Sequence, residues 1–189
     1  MSATLESHIK KFIDLSPEQA AMVTAYAKPV QAKKKTFLLK EGQICASNYF
    51  VERGCLRMFF TDEKGVEQTT QFAIENWWLT DYASFCSNKP SQFSIQAVEH
   101  STIIAFDKTA LDQLFTQLPQ LERYFRLLLE KTAGATQWRV KYIYDLSKEE
   151  MYRFFSASYP DFVQRVPQYM LASYLGLTPE YLSEIRKKK

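Results

Sequence analysis

Gln168-Tyr169-Met170-Leu171-Ala172-Ser173-Tyr174-Leu175-Gly176-Leu177-Thr178-Pro179-Glu180-Tyr181-Leu182-Ser183-Glu184-Ile185-Arg186-Lys187 reads as two short helices joined by a sharp turn. Ala172 is small, so a second helix can approach the first closely. Gly176 stands where the first helix must stop and the backbone turn. Thr178 supplies an N-cap and Pro179 the first position of the next helix. Leu171, Leu175, Leu182 and Ile185 fall where two crossed helices pack. Spacing, capping and apolar set agree on a helix-turn-helix, whose second helix enters the major groove of DNA. A plain helical hairpin is the alternative. The outward residues of the second helix are Thr178, Pro179, Glu180, Ser183, Glu184 and Lys187. Glu accepts a hydrogen bond from cytosine N4, and Ser and Thr are permissive. Arg186, Lys187 and Lys188 suit phosphates; otherwise they form a solvated tail.

Upstream, the pattern stays helical back to Asp107. A short helix is expected over Lys108–Thr116, and Pro119 opens a long one ending near Leu146. Along it Leu121, Phe125, Leu128, Thr132, Ala135, Tyr142 and Leu146 follow steps of four and three, interrupted at Arg139. That is a coiled-coil-like seam and predicts a homodimer. Gly134 and Ala135 would let two helices approach closely. The alternative is a helix packed only on its own chain. Ser147-Lys148-Glu149-Glu150 is a capping box, starting a helix that runs to about Tyr159, before Pro160. The last two helices are expected over Pro167–Leu175 and Pro179–Lys188.

Ahead of Asp107 the period changes. Thr36–Leu39, Tyr49–Glu52, Cys55–Thr61, Gln68–Ile74, Phe93–Val98 and Thr102–Phe106 are rich in β-branched and aromatic residues, and turn residues separate them. Short strands at such spacing predict a barrel or jelly roll. Gly65 suits a hairpin turn that needs a positive φ. Two short helices precede the strands, the second capped by Ser16 with Pro17 at its first position. The class is α+β: a jelly-roll-like β-roll over residues 1–117, a long dimerisation helix over 118–146, and a small helical domain over 147–189.

Composition fits a soluble globular protein: 189 residues, 46% hydrophobic, 24% charged. The 15% aromatic content allows a sizeable core, and a net charge of +3 confines any nucleic-acid site to a local patch. No apolar run approaches the roughly 18 residues of a membrane span, and no secretory signal opens the sequence, so a cytoplasmic, membrane-free protein is expected. Cys45, Cys55 and Cys86 are odd in number and not spaced as metal ligands, which suits a reducing compartment. His8 and His100 are too isolated for a metal or haem site, and a metal-dependent jelly-roll enzyme needs more ligands than His100. Asp81 and Glu52 have no evident catalytic partner. No metal, cofactor or catalysis is therefore expected. A protein-binding adaptor that has lost DNA binding is the reading from another class, and the intact C-terminal motif argues against it.

Both halves together resemble the catabolite-activator/FNR (Crp/Fnr) family of bacterial transcription regulators. In the β region the resemblance runs through Lys34–Gly42, Tyr49–Arg57 and Asp62–Gly65, a turn-glycine framework like that of cyclic-nucleotide-binding rolls. It implies a homodimer on a near-palindromic double-stranded DNA operator, a small-molecule effector and contact with RNA polymerase. Cyclic-nucleotide binders of the family cradle the phosphate with a Gly-Glu pair, then an Arg-Ser pair on the next strand. Here Thr80-Asp81 stands at the first pair, and Ser91-Gln92-Phe93-Ser94-Ile95-Gln96-Ala97 carries no arginine. Gly134-Ala135 stands where adenine-contacting hydroxyls are expected. A cyclic phosphate would be desolvated with no cation opposite it. The expectation is a regulator answering to another effector or to none, with a cyclic-nucleotide-dependent regulator of atypical pocket as the alternative. Trp78, Thr80, Asp81, Tyr82, Gln92, Phe93 and Ala135 are the candidate effector residues, and Trp77, Trp78, Tyr82 and Phe85 either line an apolar pocket or simply fill the roll. An iron–sulfur sensor of the family's kind needs an N-terminal cysteine cluster, and no cysteine precedes Cys45. The eight residues Pro160–Pro167 are too few for the β-hairpin wing of many relatives.

Overall fold

The computed structural model describes residues 3–187. The chain divides into two compact units. One holds the residues up to Phe60 together with Gln71–Leu129; the other holds Thr61–Thr70 and the residues from Glu130 onward.

The first unit starts with helices α1 (Ala3–Ile9) and α2 (Pro17–Tyr26), the latter carrying a full capping box between Ser16 and Gln19. Eight strands follow: β1 (Lys28–Ala32), β2 (Phe37–Leu39), β3 (Ser47–Arg53), β4 (Leu56–Thr61), β5 (Glu67–Ala73), β6 (Trp78–Leu79), β7 (Ser94–Ala97) and β8 (Ser101–Asp107). They form two four-stranded sheets, β1-β8-β3-β6 and β2-β7-β4-β5. The chain crosses between sheets repeatedly, as a jelly roll does. Leu39, Leu56, Met58, Ile95 and Ala97 of one sheet share a core with Ala32, Tyr49, Val51, Ile103 and Ala105 of the other. The opposite face of the first sheet is closed by helices. Phe50 packs on His8 and Trp78, and Trp78 packs on Phe106, Tyr124 and Phe125. At this seat Trp78 Nε1 donates to Tyr124 Oη (2.8 Å), which also shares a hydrogen bond with His8 Nδ1 (2.8 Å). Burial raises the Tyr124 phenol well above its ordinary pKa, so it stays a neutral partner.

The turn from β3 to β4 admits one residue type. Gly54 sits at φ +103°, and a Cβ there would lie 2.3 Å from Ser101 Oγ and 2.7 Å from Ser101 Cα. Ser101 Oγ in turn accepts from the Cys55 amide, which locks the turn to β8.

Three elements of the first unit are not expected from sequence. Strand β1 contains Pro29, which suits an edge strand and hides its β pattern. Strand β6 has two residues, too few for any period. Helix α3 (Tyr82–Ser87) sits inside a stretch read only as an aromatic cluster.

Helix α4 (Lys108–Gln117) and the start of α5 (Gln120–Asp145) complete this unit. The rest of α5 runs into the second unit with α6 (Lys148–Ser158), α7 (Pro160–Arg165), α8 (Gln168–Leu175) and α9 (Pro179–Lys187). The capping box at Ser147 and Glu150 forms in full. The segment read as too short for a wing is itself the helix α7, with Pro160 at its first position. Phe155 centres a ring cluster with Tyr159, Phe162 and Tyr174. The hairpin tip Thr61–Thr70 belongs to this helical unit, and the division between the two units falls within α5.

Candidate nucleic-acid interface

The pair α8–α9 is built as its residues dictate. Gly176 takes the left-handed conformation (φ +68°) at the end of α8, and the Leu177 amide closes back on the Ala172 carbonyl at 2.8 Å. Thr178 Oγ1 then accepts from the Tyr181 amide at 3.2 Å, capping α9. Leu171, Ala172 and Leu182 are fully buried, and Leu175 and Ile185 nearly so.

That packing decides what α9 can offer. With Leu182 and Ile185 turned inward, the opposite face carries Glu180, Ser183, Glu184 and Lys187, at about 100° per residue. Thr178, Pro179, Glu180, Glu184, Arg186 and Lys187 are exposed and Ser183 is half-buried. Lys188 lies outside the described residues. The face is chemically mixed: two carboxylates and a hydroxyl are bracketed by Arg186 and Lys187 at the helix C-terminus, where cations complement the helix dipole.

Several candidate effector residues are held by contacts within the first unit. Trp78 is committed to the aromatic seat described above, and the cavity beside it is only about 10 Å³. That is room for one water at most. Thr80 and Asp81 are buried. Thr80 Oγ1 donates to the Ser47 carbonyl (3.0 Å). Asp81 caps α3, accepting from the Ala83 amide (3.1 Å) and the Ser84 amide (3.4 Å), and its other oxygen accepts from Ser91 Oγ (2.7 Å). The two segments aligned above with the phosphate cradle are thus zipped together by this chain's own carboxylate. Tyr82 and Gln92 are exposed, and Phe93 is half-buried against the roll core. Ala135 is exposed on the second unit's part of α5. Among the described residues, no group of three or more His, Cys, Asp or Glu is placed to hold a metal ion.

Several residues of the expected helix seam have contacts within their own chain. Leu121 is buried, and Phe125 and Leu128 pack against the roll's own core. Tyr142 rests between Trp138 and Phe154. Thr132 and Ala135 are exposed but stand beside no apolar row of their own. A second row lies roughly 100° round the helix: Leu129, Ala133, Thr136, Val140 and Ile143, all exposed. These follow the same steps of four and three without interruption. Two rows on α5 thus carry the same step pattern, and the pattern alone does not rank them.

Comparison with known proteins agrees with this architecture. The cyclic nucleotide-binding domain family matches residues 29–117. The transcriptional activator protein Anr of Pseudomonas protegens is 29% identical, over 81% of this chain and 66% of the relative. The chain thus spans about two thirds of the length of that relative. Among solved structures, the c-di-GMP responsive global regulator CLP of Xanthomonas campestris superposes with a TM-score of 0.72 at 14% identity, covering 92% of this chain and 91% of that one. FixK2 of Bradyrhizobium japonicum gives 0.70 at 16% identity, covering 86% and 83%.

Proposed function

We propose that this chain is a DNA-binding transcription regulator of the Crp/Fnr type working as a homodimer, a reading supported by its likeness to the cyclic nucleotide-binding domain family and to the Anr activators. One observation carries the reading: α9 buries Leu182 and Ile185 while holding Glu180, Glu184 and Lys187 free on its other face. The work is binding, not catalysis, and its place is with the DNA in the cytoplasm. No helix among the described residues is long and apolar enough to cross a membrane.

In this reading two copies meet along Leu129, Ala133, Thr136, Val140 and Ile143, and the paired α9 helices read half-sites about one helical turn apart. Glu180, Ser183 and Glu184 specify bases; Arg186, Lys187 and Lys188 anchor phosphates. Selected-site binding profiles at two salt concentrations test the division. Lys187→Ala is expected to weaken all sequences alike and lower the salt slope by about one unit. Glu180→Ala is expected to relax base preference by about 1–3 kcal/mol at the contacted pair. The reverse assignment of effects would sink these roles. A wild-type chain that selects no sequence, even with cell extract present, would sink the regulator reading itself.

The roll answers to something other than a cyclic nucleotide, or to nothing. The support is Asp81, whose carboxylate already occupies the α3 N-terminus and binds Ser91. Calorimetry with cyclic AMP and cyclic GMP is expected to give no binding heat at physiological concentration. A micromolar dissociation constant for either would restore the nucleotide-dependent reading. Contact with RNA polymerase belongs to the same proposal, through whatever surface the bound dimer presents.

A further inference from the structure

Arg139 broke the seam expected from sequence, and its position in the second unit gives it a different task. Its Nη2 donates to the Tyr174 carbonyl (2.9 Å), one of the carbonyls left over at the C-terminus of α8. Its Nη1 donates to the Thr70 carbonyl of the hairpin tip. Its guanidinium lies over the Tyr174 ring, 4.1 Å from the centroid. Beside it, Ser173 Oγ accepts from the Thr69 amide (2.7 Å) and donates to the Glu67 carbonyl (2.8 Å). Three chain segments therefore meet at one point: α5, the hairpin tip and the last turn of α8. A planar fork with several donors is suited to bridging two carbonyls in this way. Closure has a built-in opposing cost, because the Thr69 hydroxyl is buried there without a hydrogen-bond partner.

We propose that Arg139 and Ser173 form a releasable latch that couples the hairpin tip Thr61–Thr70 to α8, and through α8 sets the stance of the reading helix α9 on α5. The inference rests on the DNA-reading role proposed above. Arg139 and Ser173 are positioning residues; neither is on the outward face of α9. The strands β4 and β5 run from the tip back into the roll, so the tip is a covalent route, beside α5 itself, by which a change in the roll reaches the latch. Closed, the latch fixes the distance between the two reading helices of a dimer; open, it frees each to follow its half-site.

Two measurements on the full-length chain test this. The first is amide hydrogen exchange in the free protein, which needs no DNA. Arg139→Lys keeps the charge but cannot hold both carbonyls and stack on Tyr174. It leaves the Thr69–Ser173 bond untouched, yet a coupled latch requires the Thr69 amide to exchange about tenfold faster in it. Ser173→Ala should in turn speed exchange at Leu177, with strands β3 and β8 unchanged. Independent local contacts predict no such crossover, and its absence overturns the latch. The second is DNA selection from a library in which half-site spacing varies. Both variants are expected to keep the wild-type half-site sequence while accepting a wider range of spacings. An unchanged spacing preference overturns the coupling to α9. Selection of no sequence by the wild-type chain counts instead against the regulator reading, and the exchange result stands apart from it.

Discussion

Val140→Glu and Ile143→Glu, introduced together, are expected to yield a folded monomer with DNA affinity lowered about 10²–10⁴-fold. Both side chains are already about half exposed on the single chain, at 49% and 57%, so a charge there meets water and leaves the fold intact. In the proposed dimer the same positions face their own copies, and four carboxylates would be crowded into an apolar seam. The loss in DNA binding follows from valence. A dimer presents its second reading helix at high effective concentration once the first is seated, and a monomer forfeits that gain. Sedimentation gives the mass, and thermal unfolding shows that the fold survives. Leu128→Glu serves as the contrasting variant: it points into the roll core, so it should lower the melting temperature before it changes the mass. A double variant that still sediments as a dimer, or a wild-type chain that is monomeric at micromolar concentration, rules out this seam.

Gly54→Ala is expected to destabilise the roll by about 3–5 kcal/mol. Two costs add. The backbone at φ +103° is closed to residues with a Cβ, at about 1–3 kcal/mol. The new methyl would also lie 2.7 Å from Ser101 Cα, a backbone atom of β8, so relief means moving a strand. For a domain of this size the melting midpoint should fall by roughly 10 °C. A fall below about 3 °C would mean that the turn can shift away from Ser101. Gly134→Ala is the built-in control, because nothing stands within 4 Å of a Cβ at that helical site.

The elements that were legible in the sequence are those whose local chemistry and tertiary role coincide. Ser147 with Glu150, and Gly176 with Thr178, mark helix ends by side chains that cap the same backbone they belong to. The strand from Ser101 to Asp107 is legible because four of its residues are apolar and buried. Failure came where a residue's partner is remote in sequence. Trp78 reads as a pocket residue beside Trp77 and Tyr82, but its partners are Phe50, Phe106 and Tyr124. Asp81 reads as an unpaired acid because Ser91 and two helix amides do not announce themselves as its ligands. The helix seam is ambiguous for a related reason. Helix α5 carries two rows with the same steps, and Leu121, Phe125 and Leu128 of one row pack on the chain's own core. Sequence period finds an apolar row but not which surface it meets.

The capping of α3 by Asp81 bears on what the roll can measure. A sensor reports a metabolite because its occupancy rises and falls with the free concentration of that metabolite. A carboxylate tethered one residue from the helix it caps has a fixed local concentration, millimolar or higher for so short a tether. A diffusible phosphate must outbid it at the same amides and also part it from Ser91. On the proposed reading the input at this position is constant, like a switch wired shut. Information about the cell would then enter elsewhere: through another face of the protein, or through how much of the chain the cell makes and how fast it is degraded.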